Sequence, residues 1–92
     1  MSIAQEKMKV IKRDEREVEY SRDKIENAIY RAMVESGEDT TREDAKQVTL
    51  DVEESLIENF YNQAEVPTVE EIQDLVEEKL MKAAYVATAK AY

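Results

Sequence analysis

The sequence predicts a mainly α-helical protein with a small β part, in which an N-terminal β-hairpin caps a body of four helices. Two short runs before Ser21 alternate apolar with polar residues, as half-buried strands do, and the second of them ends at Tyr20. From Ser21 onward the apolar residues recur every three or four positions, which is the spacing of one helix face. Gly37 and Pro67, the only glycine and the only proline, interrupt this helical spacing. A hairpin followed by several separate helices is therefore expected.

The first predicted element is the hairpin, with its strands within Lys7–Lys12 and Glu17–Tyr20. Apolar residues alternate with lysines in the first strand and with glutamates in the second. Residues 13–16 between the strands are all polar and are predicted to form the turn. In such a hairpin Lys12 pairs near Glu17.

The helices that follow are delimited by start and stop signals. Each of the first three opens on a hydroxyl residue that can cap free backbone N–H groups: Ser21, Thr41 and Thr68. Asp44 and Glu71 follow the two threonines by three residues, which predicts capping boxes or close analogues of them. Gly37 lies where the first helix needs a left-handed residue to end it. The alanine-rich segment 83–92 is predicted to be the fourth helix.

Length and composition limit the chemistry open to this chain. Ninety-two residues are expected to form one domain over 1–92, with residues 1–7 disordered. The absence of cysteine excludes disulfides, thiolate zinc sites and thiyl chemistry, and the absence of histidine removes the commonest general base. A single glycine excludes a glycine-rich phosphate loop. We therefore expect no catalytic activity, no metal site and no redox cofactor.

The hydrophobic and charge content indicate a cytoplasmic protein. No apolar run approaches the ~20 residues of a membrane span, and the N-terminus lacks the apolar stretch of a signal peptide. The net charge of −9 makes binding to nucleic acid unfavourable and argues against an anionic membrane as a partner.

The adjacent glutamates and the tyrosines are expected to have structural and not functional roles. The adjacent glutamates on predicted helices are Glu53-Glu54, Glu70-Glu71 and Glu77-Glu78. Helix neighbours point ~100° apart and do not share a site, so we expect these pairs to lie on solvated helix faces. The tyrosines are expected to pack in the core or at its rim; they are Tyr20, Tyr30, Tyr61, Tyr85 and Tyr92.

The charge is distributed unevenly along the chain. Residues 1–16 carry five bases and three acids, whereas residues 17–92 carry eight bases and nineteen acids. Lys12 and Arg13 lie at the predicted turn, and Arg22 and Lys24 lie in the first turn of the first helix. Cations beside the free N–H groups of a helix N-terminus favour an anion. The alternative is that these are ordinary surface cations paired with nearby acids.

Three segments in order resemble one known family. They are Val10-Ile11-Lys12-Arg13-Asp14 followed by Val18 and Asp23-Lys24-Ile25, then Val69-Glu70-Glu71-Ile72-Gln73-Asp74-Leu75-Val76-Glu77, then Ala89-Lys90-Ala91-Tyr92. Together they resemble the ATP-cone, the allosteric nucleotide-binding domain of many ribonucleotide reductases and of a transcriptional repressor of their genes. The resemblance covers roughly residues 8–92, and the fold it implies is a β-hairpin capping four helices.

The resemblance implies a ligand, a partner and a set of site residues. The ligand would be ATP or dATP, which can carry Mg, and the partner a ribonucleotide reductase catalytic chain, in cis or in trans. The domain would control the overall activity or the oligomerisation of that reductase, including by self-association. The nucleotide-binding residues carried over are Val10, Lys12, Arg13, Val18, Ser21, Lys24 and Gln73. Lys12, Arg13 and Lys24 would contact phosphates, and Gln73 would lie on the helix that closes the pocket.

Two positions depart from the family pattern. Glu15 replaces the glycine that usually follows Lys-Arg-Asp, which we expect to change the turn and to bring an acid near the phosphates. The last helix of the family usually continues past this motif, whereas the sequence here stops at Tyr92, so a phosphate-contacting base is expected either to be missing or to be replaced by Lys90. The chain would then be either an excised domain or a free-standing cone.

Two alternative functions would be distinguished from a nucleotide-binding regulator by nucleotide binding and by ATP hydrolysis. The main alternative is an acidic helical module that binds a protein partner through its basic hairpin and binds no nucleotide. A small ATP-hydrolysing enzyme would release phosphate steadily, whereas a cone would release none.

Overall fold

The computed structural model describes residues 8–92 and confirms the predicted hairpin and four helices. The strands are β1 (Lys9–Ile11) and β2 (Glu17–Glu19), and the helices are α1 (Arg22–Ser36), α2 (Arg42–Asn59), α3 (Val69–Lys82) and α4 (Val86–Ala91). A short 3-10 turn at Tyr61–Gln63, which was not predicted, follows α2. The expected disorder of residues 1–7 and the Lys7 end of the range predicted to contain the first strand lie outside the described residues.

The hairpin turn differs by one residue from the prediction. Ile11, not Lys12, lies opposite Glu17. The backbone N–H of Lys12 donates to the carbonyl of Arg16 at 2.9 Å, and that of Glu15 donates to the carbonyl of Lys12 at 2.8 Å. The loop therefore spans residues 13–15, because Glu15 adopts a left-handed backbone conformation with φ of 68°. A tight turn followed by a left-handed residue is a common three-residue hairpin connection.

Replacing Glu15 with glycine is expected to stabilise the protein by about 1 kcal/mol. The left-handed conformation costs a residue with a Cβ roughly 1–2 kcal/mol, and the extra backbone freedom of glycine in the unfolded chain offsets part of the gain. Urea-induced unfolding measures the difference. Glu17→Gly is the matched control, since it removes the same charge from an extended strand residue and is expected to be destabilising by ~0.5–1 kcal/mol. Equal effects of both substitutions would contradict the role of backbone conformation.

The helix caps agree with the start and stop signals in the sequence. The Ser21 hydroxyl accepts the backbone N–H of Lys24, and Thr41 and Thr68 each form a complete capping box. Gly37 ends α1 in the left-handed conformation, with φ of 76°. These local signals fix the boundaries of α1 and the starts of α2 and α3.

The core lies between α1, α2 and α3. Each of these helices contributes large apolar residues that are completely buried, among them Ile29 and Met33, Val52 and Leu56, and Val76 and Leu80. Helix α4 packs against α1 and α3 and so closes the body on its remaining side. None of the helices in the described part of the chain is both long and apolar enough to cross a membrane.

Hydrogen bonds join the hairpin to the helical body near the start of α3. The backbone N–H of Ile11 donates to the carbonyl of Pro67 at 2.9 Å. The Tyr61 hydroxyl, at the 3-10 turn, donates to the carbonyl of Lys9 at 2.5 Å, and burial raises the pKa of this tyrosine to about 12. These contacts bring the hairpin and the first turn of α3 side by side, which creates the site described next.

Candidate functional site

A cleft of about 250 Å³ lies between the hairpin, the start of α1, the first half of α3 and the end of α4. Six of the seven sequence-predicted site residues line it: Val10, Lys12, Val18, Ser21, Lys24 and Gln73. They come from four different elements or junctions separated by up to 63 positions in the chain. The fold therefore gathers into one place residues that the sequence analysis grouped by charge and by resemblance.

The cleft has apolar walls that the sequence analysis did not assign to the site. Ile25 lines it from α1, Val69 and Ile72 from α3, and Tyr92 from the end of the chain. Helical spacing marks such residues as core, and it does not distinguish the centre of the core from an edge that opens into a cleft. An apolar cleft with a few polar groups is the usual setting for a small organic ligand.

A second, more polar groove adjoins the cleft and contains the seventh predicted residue. This groove, of about 390 Å³, is lined by Lys12, Arg13, Asp14, Arg16, Val69 and Gln73. It shares Lys12, Val69 and Gln73 with the cleft. Arg13 thus lies in the groove and not in the cleft, and Lys24 lies in the cleft and not in the groove. Together the two spaces could hold an extended anion whose other end is apolar.

The cations of the site differ in whether they have acidic partners. The Arg13 Nε donates to Glu70 Oε1 at 2.7 Å, and the Arg16 Nε donates to Asp14 Oδ2 at 2.6 Å. By contrast, neither Lys12 nor Lys24 has a carboxylate oxygen within 4.0 Å among residues 8–92. The two lysines are the cations most available to an incoming anion.

Hydrogen bonds lower the pKa of both acidic partners of the arginines. The backbone N–H of Arg16, and then its guanidinium, lower the pKa of the Asp14 carboxyl. The backbone N–H of Glu70, and then the Arg13 guanidinium, lower the pKa of the Glu70 carboxyl. Both carboxylates are therefore charged at neutral pH and compete with any anion for the arginines.

At Glu53 one expectation is corrected, and for Arg22 the alternative of a cation paired with a nearby acid holds. Glu53, expected on a solvated face, is only 6% exposed. Its carboxylate accepts the Tyr20 hydroxyl at 2.9 Å and the Arg22 Nε and Nη2 at 2.7 and 2.8 Å. Arg22 is therefore held by Glu53 and lines neither the cleft nor the groove. Burial raises the pKa of the Tyr20 hydroxyl strongly, and the Glu53 charge adds to this effect.

The position of Tyr92 depends on how α4 is held. Tyr85, at the start of this helix, caps no backbone N–H with its side chain. Glu38, from the α1–α2 connection, supplies the cap instead. Glu38 Oε1 accepts both the backbone N–H and the hydroxyl of Thr88 at 2.7 Å. This contact secures α4, whose last turn is followed by Tyr92 in the cleft. Lys90 is exposed and lines neither space.

Comparison with known proteins identifies the family of the chain. The model of the ATP cone domain family matches residues 8–92. The chain is also 43% identical over 72 residues to a vitamin B12-dependent ribonucleoside-diphosphate reductase of Thermoplasma acidophilum. The match covers 78% of this chain but spans only 9% of the length of that curated relative. The chain belongs to the ATP-cone domain family, whose general role is allosteric regulation through a bound nucleotide.

Proposed function

We propose that residues 1–92 form one regulatory domain that binds ATP or dATP and has no catalytic activity of its own. The bound nucleotide sets the overall activity or the oligomeric state of a ribonucleotide reductase catalytic chain, in cis or in trans. Magnesium accompanies the triphosphate, and no redox cofactor takes part. Self-association of the domain is one way in which the nucleotide acts on the catalytic chain.

The observation that carries this proposal is the arrangement of apolar and cationic side chains. The cleft offers Val10, Val18 and Ile72 to a base, and the adjoining groove offers Arg13 to phosphates. Lys12 lines both spaces and so lies where the two halves of a nucleotide would join. The proposal is therefore one nucleotide with its base in the cleft and its phosphates extending toward the hairpin turn.

Three further residues are proposed to contact the nucleotide. Lys24 lies in the first turn of α1, where its ammonium and the helix N-terminus both favour an anion. The Ser21 oxygen accepts the Lys24 backbone N–H, which leaves the hydroxyl hydrogen for a ligand oxygen. Gln73 lines the cleft and the groove from α3 and can contact the nucleotide at their junction.

The reductase is proposed as the partner because of the family and of the relative named above. That relative is a ribonucleoside-diphosphate reductase, and the matched segment is a small part of it. A domain of this size can act on such a chain when covalently attached to it or when bound as a separate subunit. Co-purification with a reductase catalytic chain, with and without ATP, tests this part of the proposal.

Titration calorimetry with ATP, dATP and GTP tests nucleotide binding directly. Saturable binding of ATP or dATP, with weaker binding of GTP, is the expected result. A ligand at 100 times its dissociation constant also stabilises the folded protein by ~2.7 kcal/mol, which a thermal unfolding scan detects. No binding and no stabilisation by either adenine nucleotide would favour the acidic interaction module instead.

The proposed absence of catalysis has its own test. Purified protein incubated with ATP is expected to release no phosphate above a contaminant-level control. Phosphate release that disappears in the Lys12→Ala variant would contradict this part of the proposal.

A further inference from the structure

The contact between Arg13 and Glu70 connects two distant parts of the site. Arg13 lies in the hairpin turn, and Glu70 lies in the first turn of α3, 57 residues later in the chain. Their side chains are 78% and 49% exposed, so water reaches the pair. An exposed ion pair of this kind is weak, and a more highly charged anion can replace one partner.

The position of the pair relates it to one end of the proposed nucleotide. Arg13 lines the polar groove but not the apolar cleft, whereas Lys12 lines both and Lys24 lines only the cleft. With the base in the cleft, the first phosphate lies near the two lysines, which have no carboxylate partner in the described part of the chain. Only a longer chain of phosphates extends along the groove as far as Arg13.

We infer that Glu70 competes with the distal phosphates for Arg13 and thereby lowers the affinity of the site for triphosphates without changing its affinity for monophosphates. This inference rests on the proposed function. Every nucleotide that reaches Arg13 must displace the Glu70 carboxylate, and only the charge of a distal phosphate compensates for the lost pair. A monophosphate leaves the Arg13–Glu70 contact in place and gains nothing from Arg13. The exchange also removes the ion pair between the hairpin turn and α3, so this contact no longer joins the two elements when a triphosphate is bound.

Glu70→Gln tests the inference because it removes the charge and keeps the shape of the side chain. The variant is expected to bind ATP about two- to fivefold more tightly, the range expected for one exposed ion pair. The affinity for AMP is expected to equal that of the unmodified chain, whether AMP binding is weak or undetectable there. Glu78→Gln removes the same charge from an exposed position of α3 that lines neither the cleft nor the groove. This control variant is expected to bind both nucleotides like the unmodified chain.

A double-mutant cycle separates this exchange from a general effect of charge. In the Arg13→Ala background the Glu70→Gln substitution is expected to leave ATP affinity unchanged, since the contested cation is gone. All affinities are measured by titration calorimetry on the 92-residue chain at one ionic strength. An equal gain for ATP and AMP, a gain that persists without Arg13, or no gain at all would overturn the inference. If the unmodified chain bound no ATP, the proposed function itself would fail, which distinguishes the two failures.

Discussion

Replacing Lys12 or Lys24 with alanine is expected to weaken ATP binding roughly tenfold or more. Both ammonium groups lie at the cleft without a carboxylate partner among residues 8–92, so a phosphate gains their charge without displacing an acid. A charge-assisted hydrogen bond contributes about 1.5–3 kcal/mol, which is at least tenfold in affinity. Titration calorimetry with ATP measures the loss.

The thermal stability of these variants without ligand is expected to stay nearly unchanged. Both lysines are exposed, and substitutions at such positions usually shift the free energy of unfolding by less than about 0.5 kcal/mol. Lys46→Ala is the control, because Lys46 is an exposed lysine of α2 that lines neither the cleft nor the groove. If Lys46→Ala weakened ATP binding as much as Lys24→Ala, the site would be misplaced. If neither cleft lysine mattered, the proposal of a nucleotide domain would fail for this chain.

The helix boundaries were predictable because the signals that set them are local. Ser21, Thr41 and Thr68 cap the helices that follow them, and Gly37 ends α1. Capping depends on backbone groups within about four residues, so no knowledge of the rest of the fold is needed. The switch from alternating to helical spacing after Tyr20 is equally local, and it separated the hairpin from the helices correctly.

The features that were missed depend on contacts between distant parts of the chain. Glu53 and Glu54 look alike in the sequence, yet only Glu53 faces the hairpin and becomes buried. Arg13 and Glu70 are 57 residues apart, and no local pattern pairs them. The hairpin loop was misplaced by one residue because a glutamate, which seldom adopts a left-handed conformation, does so at position 15. For Glu53 and for the pair of Arg13 and Glu70, packing between elements determined the result, whereas the loop error arose from one unusual backbone conformation.

The cations of the candidate site and the two valines of the hairpin were predictable, whereas the walls that the helices contribute were not. Uneven charge and the family resemblance together pointed to Lys12, Arg13 and Lys24. Ile72 and Tyr92 carry no such signal, since an apolar residue at helical spacing and a tyrosine at the end of a chain are most simply explained by packing. Their place in the cleft follows from the way α3 and α4 meet the hairpin.

Replacing Glu53 with alanine is expected to lower the free energy of unfolding by about 2–4 kcal/mol. The substitution leaves the buried Tyr20 hydroxyl without its acceptor and frees the Arg22 guanidinium. Removing one partner of a buried charged pair typically costs ~3–5 kcal/mol, and the partial exposure of Arg22 reduces that cost here. Urea-induced unfolding of both proteins measures the difference.

Glu54→Ala provides the matched control for this substitution. Glu54 is the next residue of α2 but is exposed, so its loss is expected to change the free energy of unfolding by less than about 0.5 kcal/mol. Tyr20→Phe completes a double-mutant cycle, because removing the hydroxyl is expected to be destabilising when Glu53 is present and nearly neutral when it is absent. Equal effects of Glu53→Ala and Glu54→Ala would contradict a structural role for the buried carboxylate. Since Tyr20 also lines the cleft, Glu53→Ala is further expected to weaken ATP binding, which links the packing of α2 to the proposed site.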